Sequence, residues 1–401
     1  MNCFPSSNNL RICHVITTPT DRYSSGLRTR MQAQILSELG YSIDIATGMG
    51  PVGSDLISRG LEGIDYYRFP SLTKYLVPRL DAKAFYDLFS FFRRGRYSIV
   101  HTHLAKAGIL GRLAAALARV PIIIHDVHGP SFSPAHSPLR RALFMNLERL
   151  AGVATTHYVF YARHLKDAFE SASIGTGAVR NVIYPDLNLQ PFFDASNAGF
   201  MDRSRLRSCW GLSRDHLVVG YVARMVPSKA HHLAMEAFAA LAERWPNARL
   251  LLVGGAIWDE EQAYVHRLRS LAANLRLDDR VIFAGHQTEI IPFYEMMDLF
   301  VMPSLYEGTA NAMLEALAIG LPIVSFDTPT VREFGPPQAI ICPFGQVSGL
   351  ANGLQQAMTA LGSSPDSIRP SLDFRRILVH KFSTRQWRKA FTDFYRNLSL
   401  G

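Results

Sequence analysis

Cysteine is scarce in this chain, and the few cysteines that occur are widely spaced. Cys3, Cys13, Cys209 and Cys342 form no Cys-x-x-Cys pair. This spacing argues against a disulfide framework and against a zinc knuckle, both of which need clustered cysteines. A reducing, cytosolic environment is therefore expected.

Long apolar runs are also absent. No stretch reaches the roughly 20 apolar residues that a membrane-spanning helix requires. The longest candidate, residues 113–127, is interrupted by charged residues and a proline. The first residues, MNCFPSSNNLRICHV, lack the basic start and apolar centre of a signal peptide. The sequence thus favours a cytoplasmic protein, either free or held peripherally on the inner face of a membrane.

Acidic residues are outnumbered by basic ones. The chain has 401 residues, with 42 Lys and Arg against 33 Asp and Glu, a net charge of +9. Residues 1–200 contain 21 Lys and Arg against 14 Asp and Glu, so they contribute +7. Such a surface attracts nucleic acids, anionic membranes or phosphorylated substrates. No basic and aromatic recognition motif is visible, so nucleic-acid binding is not supported.

Short apolar runs alternate with helical patterns along the chain. The pattern predicts strands at 10–16, 41–46, 98–101, 121–125, 217–222, 249–253, 281–283, 299–302 and 323–325. It predicts helices at 26–39, 106–118 and 230–243. A repeated strand–helix–strand pattern implies parallel sheets covered by helices. The predicted fold class is α/β, with two doubly wound, Rossmann-like domains facing a central cleft.

A polar segment, 197–214, separates the two halves and is interpreted as a linker. The first domain is therefore expected over residues 1–195 and the second over 196–380. In doubly wound sheets, ligands bind at the carboxyl ends of the strands.

The second half contains a turn that leads into a helix, SLYEGTANAMLEALAIGLP at residues 304–322. Amides from Gly308 to Asn311 lack intrahelical acceptors and offer a phosphate site aided by the helix dipole. Glu315, further along, can accept hydrogen bonds from sugar hydroxyls. An alternative interpretation of Glu307 is an acid near the helix start that interacts favourably with the helix dipole. The alternative for Glu315 is a helix residue that points into solvent. The isolation of Glu315 in an apolar helix favours the functional interpretation.

Two cations follow the first strand of the second half, in Ala223-Arg224-Met225-Val226-Pro227-Ser228-Lys229. Arg224 and Lys229 at the end of a strand suit a diphosphate. At ~4 Å and an effective dielectric constant of ~20, each cation–phosphate pair contributes about 4 kcal/mol. That attraction grows as a departing diphosphate gains charge. Two solvated loop cations are the alternative interpretation.

On these residues the sequence resembles the retaining, nucleotide-sugar-dependent glycosyltransferases of family four, which have the GT-B fold. The paired-glutamate motif of that family matches Glu307 and Glu315, and its Arg-x4-Lys clamp matches Arg224 and Lys229. Weaker matches are the Gly-rich first loop at Ser25-Gly26, the segment 101–112, the loop His128-Gly129 and the turn at Gly285. The resemblance also implies that a final helix, within 381–401, packs back on the first domain.

The resemblance implies a role for each matched residue. Glu315 would bind the donor ribose and Glu307 the hydroxyls of the transferred sugar. The diphosphate would be held by Arg224, Lys229 and the backbone of Gly308, Thr309, Ala310 and Asn311. Gly26 would let the first loop approach the diphosphate, Gly285 would lie near the base, and His128 near the transferred sugar.

The resemblance implies neither a cofactor nor a metal. Metal-dependent glycosyltransferases of the other large fold use an Asp-x-Asp triplet, which does not occur in this sequence. His101, His103 and His125 lie near one predicted sheet edge. We interpret them as structural residues because no Asp or Glu lies between Asp87 and Asp126 to complete a hard-ligand set.

The implied activity is retaining transfer of a sugar from a nucleoside-diphosphate sugar, with UDP as the favoured nucleotide. The acceptor would be a glycan or a polyprenyl-diphosphate-linked sugar in surface polysaccharide synthesis. Two other functions stay open, a sugar-nucleotide 2-epimerase and a non-catalytic sugar-nucleotide-binding module.

An anionic membrane surface is a further candidate partner. The stretch 75–96 is rich in Arg and Phe. Phe85, Leu88 and Phe92 share a helical face that suits the core. Phe91 and the arginines at 93, 94 and 96 suit either solvent or lipid headgroups.

Overall fold

The computed structural model describes residues 10–18, 24–49, 61–129, 131–133, 137–197 and 203–398. The chain divides into two compact units. The first comprises residues 1–186 and 385–401, and the second comprises residues 187–384.

In its described residues, the first unit contains a seven-stranded parallel sheet in the order β3-β2-β1-β4-β5-β6-β7. The strands are β1 (Arg11–Ile16), β2 (Ser42–Thr47), β3 (Ile64–Arg68), β4 (Ile99–His103), β5 (Ile122–Val127), β6 (His157–Phe160) and β7 (Val179–Val182). The helices are α1 (Ser24–Glu38), α2 (Pro78–Gly95), α3 (Ala105–Leu117), α4 (Pro138–Val153), α5 (Arg163–Ser171) and α15 (Thr384–Arg396).

Helices cover both faces of this first sheet. On one face, Trp387 and Phe391 of α15 are buried in the same apolar cluster as Ile12 and Ile124 of the sheet. On the other face, Leu88 and other residues of α2 and α3 pack against a second apolar cluster of strand residues. The last helix of the chain is therefore an integral part of the first unit.

In its described residues, the second unit contains a six-stranded parallel sheet in the order β10-β9-β8-β11-β12-β13. The strands are β8 (Leu217–Val222), β9 (Ala248–Val253), β10 (Val281–Gly285), β11 (Leu299–Met302), β12 (Ile323–Phe326) and β13 (Ile340–Cys342). The helices are α6 (Gln190–Asn197), α7 (Arg203–Cys209), α8 (His231–Ala239), α9 (Asp259–Asn274), α10 (Ile291–Met296), α11 (Asn311–Ile319), α12 (Pro329–Phe334), α13 (Val347–Ser363) and α14 (Leu372–Lys381).

The division of the chain differs from the boundaries expected at 195/196 and 380/381. It falls at 186/187 and at 384/385 instead. The reason is that α6 packs on α10, α11 and α14 of the second unit. No pattern within α6 itself indicates which sheet covers it.

The interpretation of 197–214 as a linker is wrong for much of that segment. Residues 203–209 form α7, and its Arg207 is buried. The guanidinium of Arg207 donates to the Asp298 carboxylate at 2.7 Å and to the Met296 carbonyl at 2.7 Å. Residues 198–202 lie outside the described part of the chain.

Helix α2 packs on the first sheet as the core interpretation predicts. Leu88 and Phe92 are buried. The ring of Phe91 is also held inside the unit, with its centroid 4.7 Å from that of Tyr67 and 5.3 Å from that of Phe69. Lipid contact by Phe91 is therefore not supported. In the ranges described, no helix is both long and apolar enough to cross a bilayer.

The strand order of both sheets reverses at one position. In the first sheet this position lies between β1 and β4, and in the second between β8 and β11. At such a switch point the loops leaving two neighbouring strands run apart and leave a crevice for a ligand. The predicted donor residues follow β8 and β11, so the second crevice is the place where they can act together.

Candidate functional site

The loops after β8 and β11 are in direct contact. Lys229 Nζ lies 2.6 Å from Glu307 Oε1. Ser304 Oγ donates to the same carboxylate oxygen at 2.7 Å. The backbone amide of Leu305 donates to the Ser228 carbonyl at 3.0 Å. The structure thus brings the predicted clamp lysine and the predicted sugar-binding glutamate to one point of the second sheet's carboxyl edge.

Tyr221, the fifth residue of β8, contacts both the loop after β8 and the loop after β11. Its hydroxyl lies 2.6 Å from Ser304 Oγ and 3.0 Å from the Lys229 carbonyl. Burial raises the pKa of Tyr221 well above its usual value, and the charge of Glu307 raises it further. The hydroxyl therefore stays protonated and keeps both loops in register.

Arg224 lies at the same edge, in the same loop after β8 as Lys229. Its guanidinium is 3.5 Å from Glu261 Oε1 at the start of α9, and about a third of the side chain is exposed (38%). Gly254 at the end of β9 permits this approach. Its φ is +132°, and an added Cβ would lie 2.0 Å from the Ala223 carbonyl oxygen. Both predicted clamp cations are therefore paired with carboxylates in this structure.

Helix α11 begins without a side-chain cap. Its N-cap residue, Ala310, has a left-handed backbone (φ 50°, ψ 58°) and supplies no side-chain acceptor, while its carbonyl accepts from the Met313 amide at 2.9 Å. Thr309 Oγ1 donates to Asn311 Oδ1 at 2.9 Å rather than to a backbone group. A left-handed alanine is uncommon and costs free energy. The arrangement leaves the amides that precede Met313, such as that of Asn311, available to a bound anion.

Helix α8 repeats this arrangement at the neighbouring strand. Its N-cap, Ala230, is also left-handed (φ 50°, ψ 40°) and gives no side-chain cap. Because α8 follows β8 and α11 follows β11, both helices begin at the switch point of the second sheet. Two positive helix ends and two cations therefore share one edge.

Glu315 lies one turn into α11, on the same face as Asn311. Tyr294 of α10 donates its hydroxyl hydrogen bond to Glu315 Oε2 at 2.7 Å. Burial raises the pKa of Glu315 above its usual value, and the bond from Tyr294 opposes that rise. A carboxylate held in this way can accept hydrogen bonds from a diol such as a ribose.

Gly285 ends β10 at the same edge of the second sheet. Its φ is +71°, and an added Cβ would meet no atom within 4 Å. The backbone conformation, rather than lack of space, therefore favours glycine here. Its carbonyl accepts from the Gly254 amide at 2.8 Å. Gly308 lies half-buried in the loop between Glu307 and α11.

In the first unit, the predicted donor-binding glycine lies at the start of a helix. Gly26 is in the first turn of α1, which begins at Ser24, near the start predicted at residue 26. Its approach to the diphosphate stays a prediction. The preceding residues, 19–23, lie outside the described part of the chain.

His128 follows β5 at the carboxyl edge of the first sheet. Its Nε2 atom is buried and has no hydrogen-bond partner among the described residues. The ring centroid lies 4.6 Å from that of Tyr161. Burial lowers the pKa of His128 well below its usual value, and Arg28 lowers it further. A neutral ring with an unused nitrogen is suited to a hydrogen bond with a hydroxyl group.

Beside His128, buried histidines form a hydrogen-bonded network with one acid. His101 Nε2 lies 2.5 Å from Asp126 Oδ1, and His14 Nδ1 lies 2.9 Å from His103 Nε2. The other nitrogen of His101 lies 2.7 Å from the Tyr395 hydroxyl of α15. The network fixes α15 to the first sheet.

Two groups in this network have ligand atoms close enough to hold a metal ion. They are His14, His101, His103 and, second, His103, Asp126, His128, with atoms within 4.8 Å of one another. The second group contains a carboxylate, that of Asp126, although no acid lies between Asp87 and Asp126 in the sequence. We interpret these groups as a hydrogen-bonded network because His14 Nδ1 pairs with His103 Nε2 and both nitrogens of His101 pair, with Asp126 and with Tyr395.

The buried histidines predict a loss of stability on acidification. Burial lowers the pKa of His103 from 6.5 to about 4. Between these pH values the unfolded chain binds a proton that the folded chain does not. His103 therefore does not lower the free energy of unfolding above pH 6.5. As the pH falls from 6.5 toward 4, it lowers the free energy of unfolding by up to ~1.4 kcal/mol per pH unit. Asp126, whose pKa is lowered, is ionised in both states above about pH 5 and adds to the loss of stability only closer to pH 4.

Urea unfolding of the wild type and of the His103→Gln variant between pH 7.5 and 5 measures this effect. The free energy of unfolding should fall with pH in the wild type and fall less steeply in the variant. Equal slopes for the two proteins would show that His103 is not kept neutral by the fold.

Sequence reasoning did not identify several residues that support the site. Tyr294 positions Glu315, and Glu261 pairs with Arg224. Tyr306 has a buried hydroxyl without a partner in the described ranges, next to Glu307. Ser304 and Tyr306 stand within the motif segment, so their polar groups were visible there. Tyr294 and Glu261 lie on other helices and have no local signal.

Two family models match the chain. The model described as Glycosyl transferase 4-like domain matches residues 25–184, and the model described as Glycosyl transferases group 1 matches residues 202–363. Together they cover most of both units. The chain belongs to the group 1 glycosyltransferases, of the family-four type with the GT-B fold. The predicted family and fold class are thereby confirmed.

Two curated relatives illustrate the similarity, and both are glycosyltransferases. The UDP-Gal:alpha-D-GlcNAc-diphosphoundecaprenol alpha-1,3-galactosyltransferase of Escherichia coli is 30% identical over 257 residues, 64% of this chain and 64% of that protein. The capsular polysaccharide biosynthesis glycosyltransferase CapM of Staphylococcus aureus is 25% identical over 321 residues, 76% of this chain and 78% of that protein. The match thus spans just under two thirds of the first relative's length.

Solved structures share the fold at low identity. Sucrose-phosphate synthase of Thermosynechococcus elongatus has a TM-score of 0.77 at 18% identity, covering 97% of this chain and 98% of that one. HepE of Anabaena, solved with UDP and glucose, has a TM-score of 0.71 at 20% identity, covering 97% of this chain and 100% of that one. At such identities the likeness concerns the fold alone.

Proposed function

We propose that this protein is a retaining glycosyltransferase. It moves a sugar from a nucleoside-diphosphate sugar, with UDP as the favoured nucleotide, to a glycan or lipid-linked sugar acceptor. The observation that carries the proposal is the contact between Lys229 and Glu307 beside the uncapped start of α11. A sugar diphosphate presents anionic oxygens next to hydroxyl groups. The cation and the free amides at this edge suit the anionic oxygens, and the carboxylate suits the hydroxyl groups.

The diphosphate would occupy the switch point of the second sheet. Lys229, Arg224 and the amides of Thr309 to Asn311 would take its oxygens, since a phosphate competes well for cations that now pair with Glu261 and Glu307. Glu307 would then accept hydroxyl protons of the sugar, and Glu315 those of the ribose. Gly285, at the end of β10, would leave room for the base.

In the proposed reaction the bond between the anomeric carbon and the phosphate oxygen breaks. The acceptor hydroxyl attacks the anomeric carbon from the face that the diphosphate leaves, so the anomeric configuration is retained. The departing phosphate oxygen takes the proton of the acceptor hydroxyl. Arg224, Lys229 and the positive end of α11 stabilise the charge that develops on the diphosphate.

The same positive groups support a reaction without a divalent cation. They already surround the proposed diphosphate position with two side-chain charges and a helix end. Transfer by the purified protein should therefore continue unchanged in EDTA. Loss of activity in EDTA that Mg²⁺ or Mn²⁺ restores would contradict metal independence.

The nature of the acceptor is inferred from the relatives. The names of the two relatives above refer to a diphosphoundecaprenol-linked GlcNAc acceptor and to capsular polysaccharide. We propose that this chain also extends a polyprenyl-diphosphate-linked glycan during surface polysaccharide synthesis. Its location would be the cytoplasmic side of the membrane.

An assay with UDP-, GDP- and ADP-sugars and a synthetic lipid-diphosphate-linked sugar tests the function. The expected result is transfer from one donor class, with the product linkage in the donor's anomeric configuration by NMR. Epimerised donor formed without an acceptor would indicate the 2-epimerase. Donor binding without transfer or hydrolysis would indicate a binding module.

His128 is proposed to bind a hydroxyl of the transferred sugar through its unused Nε2 nitrogen. The His128→Ala variant should lower kcat by about 10- to 100-fold and change the KM for the donor little, because the bond strengthens in the transition state. The His164→Ala variant, altered at another histidine of the first unit, serves as the control. Unchanged kcat in His128→Ala would remove His128 from the reaction.

A further inference from the structure

An apolar stripe runs along the exposed side of α4 in the first unit. Leu139, Leu143, Leu150 and Val153 are 84, 48, 56 and 88% exposed. With ~100° of rotation per residue, these four positions fall within an arc of about 80°. We call these four residues the α4 stripe. Four large aliphatic side chains in a line on solvent differ from the scattered apolar residues of an ordinary surface.

The charges that α4 exposes are all positive. Arg140, Arg141 and Arg149 are exposed. At helical spacing, Arg140 and Arg149 lie on opposite sides of the α4 stripe, whereas Arg141 lies on the side of the helix away from it. Among the residues that the structure describes, none of the three arginines pairs with a carboxylate.

The one acidic residue of α4, Glu148, points into the unit. Its Oε2 lies 2.5 Å from the buried guanidinium of Arg112, and its Oε1 accepts from Ser131 Oγ at 2.8 Å. Arg112 also donates to the Tyr158 hydroxyl at 3.0 Å. The buried charges of Arg112 and Glu148 neutralise each other, and the pair fixes the inner side of α4 to the rest of the unit. The outer side therefore combines an aliphatic stripe with unopposed positive charge.

We propose that the outer side of α4 docks on an anionic phospholipid surface. A helix with aliphatic residues on one side and arginines beside them lies in the plane of the interface. Its apolar side enters the acyl boundary and its guanidinium groups reach the lipid phosphates. With 16 residues, α4 would present a contact ~24 Å long.

A second copy of this chain is a poor occupant for the same face. In a twofold contact each surface meets itself, so Arg140 and Arg149 of one copy would approach those of the other. No carboxylate on the outer side of α4 is available to offset that repulsion. An anionic bilayer supplies the complementary charge and an apolar phase together.

Helix α2 is the competing location for lipid contact, and its charges are mixed. Arg93 and Arg94 are exposed at its end. However, Lys83 pairs with Asp87 on the same helix at 3.0 Å. Substitutions on α2 therefore serve as an internal comparison for substitutions on α4.

Co-sedimentation of the full chain with phospholipid vesicles tests the proposal. The wild type should bind vesicles of phosphatidylcholine mixed with phosphatidylglycerol, should bind phosphatidylcholine alone weakly, and should dissociate as salt is raised. The variant Leu139→Gln/Leu150→Gln/Val153→Gln should lower the partition constant by about tenfold or more. The variant Arg140→Gln/Arg149→Gln should lower it by about fivefold per arginine on the anionic vesicles only.

Two control variants make the same kinds of substitution on other helices, α14 and α2. Leu372→Gln/Ile377→Gln removes exposed aliphatic residues of α14 in the second unit. Arg93→Gln/Arg94→Gln removes arginines from α2. Both should bind vesicles within about twofold of the wild type. Unchanged melting temperatures of the exposed-residue variants would show that the fold is intact.

Several outcomes would overturn the proposal. One is the absence of binding to anionic vesicles, and another is equal binding by the α4 stripe variant and the wild type. Loss of binding only in the α2 variant would place the contact on α2. A wild-type dimer that the α4 stripe variant converts to monomer in light scattering would identify the face as a self-contact. The vesicles contain no donor or acceptor, so these results do not depend on the proposed transfer reaction.

Discussion

The Lys229→Ala variant is expected to lower kcat/KM for sugar transfer by about 10²- to 10³-fold. A fixed cation aimed at charge that develops in the transition state typically contributes an effect of this size. Lys229 is 2.6 Å from Glu307 and lies beside the uncapped start of α11. Its loss removes both the proposed phosphate contact and the partner that orients Glu307. Steady-state kinetics with the preferred donor measure the effect.

Two comparison variants separate this role from general stability. Lys229→Arg keeps the charge but not the compact ammonium group, so an intermediate rate is expected. Arg376→Ala breaks an exposed ion pair with Asp373 on α14 of the same unit. It should leave the rate within about twofold, since exposed pairs contribute little. A Lys229→Ala enzyme as active as Arg376→Ala would contradict the proposed clamp.

The Glu315→Ala variant is expected to lose the rise in melting temperature that the preferred nucleotide sugar gives the wild type. A ligand bound only by the folded state at 100 times its Kd stabilises that state by about 2.7 kcal/mol. Glu315 faces the proposed ribose position and is held by the Tyr294 hydroxyl at 2.7 Å. Without the carboxylate, the ribose hydroxyls lose their acceptor. Thermal unfolding with and without UDP-, GDP- and ADP-sugars measures the shift.

The same scan includes two controls. Tyr294→Phe removes the hydroxyl that holds Glu315 and keeps the ring, so the nucleotide shift should become smaller without disappearing. Glu243→Ala removes an exposed acid of the second unit and should leave the shift unchanged. A full shift in Glu315→Ala would show that the ribose lies elsewhere.

The central strands of both sheets were predictable because they are buried on both faces, whereas the partly exposed outer strands β3, β7 and β13, and also β6, were not predicted. Strands buried on both faces read as continuous apolar runs, as at 217–222 and 299–302, which the structure confirms as β8 and β11. The motif at 304–322 was visible for a related reason. Its turn residues and its helix formers are local features, so the start of α11 follows from the sequence.

The contacts that complete the site were not predictable, because they join distant segments. Nothing near Arg224 indicates Glu261 as its partner, and nothing near Glu315 indicates Tyr294. The same limit explains the incorrect linker. Arg203 and Arg207 of α7 pair with Asp298, about 90 residues away, and a polar composition alone does not reveal that packing.

Surface organisation also depends on the fold. From sequence, the arginines at 93, 94 and 96 and Phe91 are the visible candidates for lipid contact, because they are adjacent in the chain. The structure buries much of Phe91 and turns Glu148 of α4 inward. Only then does the outer side of α4 stand out as aliphatic and positively charged.

The most direct test of the account is a crystal structure of the protein with UDP. The account predicts diphosphate oxygens within about 3 Å of Lys229 Nζ and of the amides of Thr309 to Asn311. Lys229 should then have exchanged its contact with Glu307 for the phosphate. A diphosphate bound elsewhere, with the Lys229–Glu307 pair intact and the start of α11 uncovered, would contradict the account.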